Sequence, residues 1–118
     1  MLVQPSTLQS KKTMEQPNKS YINSLSGGDK VFEQKLINII KNEFPDEKEV
    51  YFNNLAEKKY KNAAGNVHKL KHKISILGLE KSYETAVAFE NNLLEGSTEL
   101  QNEFESILII ITNYLQKL

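Results

Sequence analysis

Apolar residues recur at three- and four-residue spacing from residue 29 to the C-terminus, a pattern that predicts helices throughout. Phe32, Leu36, Ile39, Ile40 and Phe44 mark a first long helix from about Asp29 to Phe44. Ser26-Gly27-Gly28-Asp29 precedes it as a start signal, a serine able to cap with an acid three residues on. Pro45 predicts the end of that helix and the beginning of a second, because proline suits a first turn and not a helix interior. Asp46, Glu47 and Glu49 load the new first turn with negative charge, while Val50, Tyr51, Leu55 and Ala56 form its apolar side.

A third helix, about Asn62 to Leu77, puts Val67, Leu70, Ile74 and Leu77 on one face, and Gly78 is expected at its C-terminal cap. A fourth, about Glu80 to Glu95, turns Tyr83, Ala86, Val87, Leu93 and Leu94 inward. Gly96-Ser97 breaks the chain again, with Ser97 as N-cap of a fifth helix from about Thr98 to Leu118. The β-branched run Ile107–Ile111 would also suit a strand, but helical spacing continues on both sides of it and no partner strand is visible. Connections this short favour antiparallel neighbours. The expected fold is therefore all-α, an up-down antiparallel four-helix bundle with an additional short N-terminal helix. Residues 1–20, polar and carrying Pro5 and Pro17, read as a flexible tail, and residues 21–118 as the bundle domain.

Composition narrows the function. The 118 residues suit one domain with a modest core, and 15 basic against 15 acidic residues leave no net field to recruit nucleic acid or an anionic membrane. Cysteine is absent, which excludes disulfide scaffolds and thiolate metal sites. The longest apolar run, Ile107–Ile111, is far short of the roughly 18 residues that span a bilayer, so no membrane insertion is expected. The N-terminus lacks the charged start and apolar core of a signal peptide, which makes a cytoplasmic protein the expectation. Met1 favours a free-standing protein.

The chemistry lies on the polar face of the third helix, where His68, Lys71, His72 and Ser75 align opposite the apolar stripe. A neutral imidazole held out to solvent can attack a phosphoryl group without a separate base, and Lys71, one turn on, would hold positive charge beside the phosphate oxygens. Glu90 stands out independently, as a carboxylate on the inward stripe of the fourth helix. It needs a partner there, and a ring nitrogen of His68 or the Lys71 ammonium can supply one. Accepting a hydrogen bond from Nδ1 would leave Nε2 of His68 unprotonated. Lys69, Lys71 and Lys73 form a basic patch too small for nucleic acid but adequate to steer an acidic partner. His68 and His72, four residues apart, could join Glu90 around a transition metal; with no cysteine nearby and no third ligand on the same helix, no metal site is expected. Nor is there a Gly-rich phosphate loop, so no nucleotide cofactor and no kinase activity are expected.

His68, with Leu70 two residues on, Lys71 three on and Gly78 ten on, resembles the signature of histidine phosphotransfer (HPt) domains. Leu25-Ser26-Gly27-Gly28-Asp29 is similar to the entry of their first bundle helix, and Gly78-Leu79 to the way they leave the histidine helix. Glu90 is placed like a polar partner of the histidine in several members. The resemblance covers roughly Tyr21 to Leu118 and departs at His72, where many members have glycine. It implies a phosphoryl carrier of a multistep phosphorelay, with His68 as phosphoacceptor, Lys71 stabilising the phosphoryl charge and Glu90 orienting His68. Lys69, His72, Ser75 and Gly78 would then meet the partner. The implied partners are response-regulator receiver domains, which carry their own Mg²⁺, and a hybrid sensor histidine kinase. The alternative is a non-catalytic helical adaptor that binds a partner protein through the His68 face.

Overall fold

Asp29, rather than Ser26, starts the first long helix in the computed structural model, which describes residues 15–118. Its carboxylate accepts from the amides of Val31 (3.0 Å) and Phe32 (3.1 Å), two of the donors that every helix start leaves open. Ser26 instead closes a preceding short helix, α1 (Ser20–Ser26), by donating from Oγ to the Asn23 carbonyl.

From Asp29 the helix α2 (Lys30–Ala56) runs on without a break, so the division expected at Pro45 does not occur. Pro45 withholds the amide that would bond the Lys41 carbonyl, a defect worth about 3 kcal/mol in a helix interior. Tertiary contacts hold the helix together across it. Glu43 and Glu47, two residues either side of Pro45, both bind the ammonium of Lys73, at 2.8 Å and 3.1 Å. Phe44 and Tyr51 anchor the two halves in the core.

Three more helices follow: α3 (Tyr60–Ile76), α4 (Glu80–Leu94) and α5 (Gln101–Gln116). Asn54 meets Asn66 (2.7 Å) and Glu47 meets Lys73, so α2 and α3 run in opposite directions. The same holds for α5 against α2, where the Tyr51 hydroxyl donates to Glu105 (3.0 Å) and Lys48 donates to the Thr112 hydroxyl (2.7 Å). The result is an all-α bundle of four long helices with a short helix ahead of them.

The core is built around Phe44, Tyr51, Phe89 and Phe104, with Tyr51 edge-on to Phe89 and Phe104. Burial and the acceptor Glu105 push the Tyr51 hydroxyl's pKa well above the usual tyrosine value. The isoleucine run is helical, as its burial shows: Ile107, Leu108 and Ile111 are buried while Ile109 is 62% exposed. On α2 the buried stripe is Glu33, Ile37, Ile40, Phe44 and Tyr51, and Phe32, Ile39 and Val50 face solvent instead. A helix continuous through Pro45 keeps a single phase, and Glu33, Ile37, Ile40, Phe44 and Tyr51 share that buried face. Leu94, at the last turn of α4, is exposed as well.

Two more boundaries differ from the sequence reading. Ser97 accepts from the Glu99 amide (3.1 Å) in a local turn, and α5 begins only at Gln101, after Leu100 in a left-handed conformation (φ 77). Residues 15–19, read as tail, lie against the bundle. The Glu15 carboxylate accepts from the amides of Lys81 (2.7 Å) and Ser82 (2.9 Å), serving the first turn of α4, whose own N-cap residue Leu79 provides no capping side chain. Burial raises the Glu15 pKa, but these two backbone bonds outweigh it and hold the carboxyl below the usual value. The Asn18 amide donates to the Leu77 carbonyl at the α3–α4 turn (2.9 Å). The remainder of the expected tail, residues 1–14, lies outside the described residues.

Candidate functional site

Helix α3 buries Ala63, Ala64, Val67, Leu70 and Ile74, and its pitch turns His68 outward at its middle, far from either end. The His68 side chain is 52% exposed. Its Nδ1 lies 3.0 Å from one oxygen of Glu90, and the other oxygen of that carboxylate is 2.9 Å from the Lys71 ammonium. Glu90 thus bridges two residues of α3 from α4. Lys71 and Glu90 are largely buried, at 12% and 17% side-chain exposure. The Lys71 ammonium also stands over the Tyr83 ring, 5.8 Å from its centre.

This geometry assigns the tautomer. A carboxylate only accepts, so the hydrogen in the His68–Glu90 contact belongs to Nδ1, and Nε2 of the neutral ring keeps its lone pair. The inward carboxylate is satisfied by both of the partners anticipated for it. Lys71, however, is drawn to the Glu90 side of the ring, and its ammonium is held there.

The other expected surface residues divide. Lys69, His72 and Ser75 are exposed on α3. The His72 ring sits edge-to-face with His68, centroids 5.0 Å apart and planes at 78°. Gly78 belongs to the helix terminus. It adopts φ 79, its amide bonds the Ser75 carbonyl (3.0 Å), and the next amide, Leu79, bonds back to Ile74 (3.2 Å). A Cβ there would come within 2.6 Å of the Asn18 side chain. Gly78 therefore lies beneath Asn18, about 15 Å along the helix from His68.

The basic patch is smaller than the sequence suggests. Lys73 is only 9% exposed and is bound by Glu43 and Glu47, while Lys71 is bound by Glu90. Burial works against the Lys73 ammonium, but the hydrogen bonds it donates to Glu43 and Glu47 outweigh it and raise its pKa; Lys73 in turn holds Glu43 below the usual carboxyl value. Of the three lysines, Lys69 alone has no ion-pair partner among the described residues. The acids that neutralise the other two lie on α2 and α4, out of sight of a reading confined to one helix.

Among the described residues no three histidine, cysteine or acidic side chains are grouped to hold a metal ion. Glu90, the third member of the alternative metal trio, spends both oxygens on Nδ1 and Lys71. Gly65 lies one turn before His68 on the same exposed face. Its φ is not positive and a Cβ would meet nothing within 4 Å, so the fold does not require glycine there. The chain matches no family model, no curated protein and no solved structure.

Proposed function

We propose that the protein is a histidine phosphotransfer module: Nε2 of His68 accepts a phosphoryl group from the aspartyl phosphate of a receiver domain and passes it to a second receiver. The observation that carries this reading is the 3.0 Å contact from Nδ1 to Glu90 behind a half-exposed ring at mid-helix. In the transfer, the Nε2 lone pair forms the N–P bond as the P–O bond to the donor carboxylate breaks, and the electron pair leaves on that oxygen. The Nδ1 proton stays on the ring. Bond formation therefore makes the ring cationic, directly against the Glu90 carboxylate, so the group that fixes the tautomer also stabilises the product. Lys71 keeps Glu90 in place.

The test is incubation with phosphorylated receiver domains. The expected result is an acid-labile, alkali-stable adduct that His68→Gln abolishes while the helical circular dichroism stays unchanged. An adduct of the same stability in His68→Gln would refute the assignment.

A further inference from the structure

We propose that His72, rather than Lys71, makes the contact to the phosphoryl oxygens in this chain, an inference that rests on the phosphoacceptor reading of His68. The Lys71 ammonium is bound 2.9 Å from Glu90 and stands over Tyr83, on the Nδ1 side of the His68 ring and largely buried. The phosphoryl group forms at the opposite nitrogen. Nδ1 is committed to Glu90 on α4, the His68 side chain is 52% exposed, and the His72 ring centre lies 5.0 Å from that of His68. His72 is one helical turn further on and exposed, so its side chain can follow the oxygens of a group growing out from Nε2.

Its chemistry fits the task. Imidazole offers an N–H donor whether neutral or protonated, and a phosphoryl group carries three acceptor oxygens. A hydrogen bond from His72 would lie across the face where negative charge gathers during in-line transfer, the place where a fixed donor accelerates the reaction most. The step balances with either donor: the N–P bond forms at His68, the donor's bond to phosphorus breaks with its electron pair leaving on the aspartyl oxygen or, from phosphoramidate, on the nitrogen that departs as ammonia, and His72 donates a hydrogen bond without giving up its proton. Lys69, the remaining uncommitted cation nearby in sequence, is one residue from His68 and so is turned about 100° away from it.

The experiment compares donors of two sizes on the full chain. Phosphoramidate carries a phosphoryl group and no protein surface; a phosphorylated receiver carries both. His72→Phe keeps a flat ring beside His68 and removes the donor, whereas His72→Arg restores a donor. With phosphoramidate, His72→Phe is expected to slow the labelling of His68 about tenfold, the loss of one hydrogen bond to a charged acceptor, and His72→Arg to return to within about threefold of the parent. Equal rates for His72→Phe and the parent with phosphoramidate would overturn the proposal. So would a loss confined to the receiver donor, which would make His72 a docking residue. If the parent takes phosphoryl from phosphoramidate and from no receiver, the phosphorelay reading fails on its own while the His72 comparison can still be read.

Discussion

Replacing Glu90 with alanine removes the acceptor of Nδ1 and the counter-ion of Lys71 in one step, and the two losses have different readouts. Breaking a fully buried ion pair from one side costs about 3–5 kcal/mol; here the partners keep 12% and 17% exposure and the Lys71 ammonium can shift toward water, so about 2 kcal/mol is expected. With a urea m-value of about 1–2 kcal/mol/M for a domain of this size, the unfolding midpoint falls by about 1–2 M. The rate of His68 phosphorylation by phosphoramidate falls about tenfold as well, because the ring loses one charge-assisted hydrogen bond that fixes its tautomer. The double variant Glu90→Leu with Lys71→Met separates the effects. Taking out both charges together leaves no orphan, so stability returns to within about 1 kcal/mol of the parent, while the rate stays low. Glu90→Gln gives an intermediate result: its amide oxygen can still accept from Nδ1 and fix the tautomer, but the charge opposite the cationic product is gone, so stability falls and the rate lies between those of the parent and Glu90→Ala. If the double variant regained the rate along with the stability, Glu90 would be a structural residue and the tautomer argument would be wrong.

Other outcomes follow from the same geometry. Lys73→Met strands Glu47, one of whose oxygens is already buried without a partner, and should lower stability by about 2 kcal/mol in urea titration, with recovery when Glu47→Gln is added. Because Lys73's pKa is raised in the folded state, its contribution is present below the ordinary lysine value of 10.5 and should fade as pH climbs through the higher folded value. Gly65→Ala should raise stability by about 0.5–1 kcal/mol, since the added methyl meets open space in a helix interior; a fall in melting temperature would contradict this. Glu15→Ala uncaps α4 and should cost about 1 kcal/mol at pH 7. The folded carboxyl titrates below its unfolded value of 4.5, so the stabilisation is present above that pH, and parent and variant should converge in midpoint as pH falls further.

How far the sequence reaches can be traced residue by residue. Glu90 is legible because it breaks a pattern, a carboxylate on an apolar arc, whereas His68 and Lys71 only occupy the polar face opposite an apolar stripe and are singled out by the resemblance of their spacing to the HPt signature. Periodicity locates such an exception, and its need for partners connects it to those two. What could not be read depends on neighbours distant in the chain. Lys73 looks like a solvated lysine until Glu43 and Glu47 arrive from α2. Asn18 covers Gly78, and Glu15 caps α4, from a segment with no periodicity of its own. Phe32 and Ile39 turn outward because the buried face of α2 is that of Glu33, Ile37, Ile40 and Phe44, a choice made by the neighbouring helices.

The lysine that spans Pro45 has a consequence for the order of folding. Before α3 docks, nothing on α2 compensates the amide missing at Pro45, so local energetics favour the two separate helices that the sequence describes. The 27-residue rod is then a product of assembly, joined when Lys73 reaches both carboxylates. Such a joint should close after the folding barrier. Lys73→Met is therefore expected to accelerate unfolding in stopped-flow chevrons and to leave the refolding limb nearly unmoved. A refolding rate that dropped by the full stability change would instead place the splice in the folding nucleus.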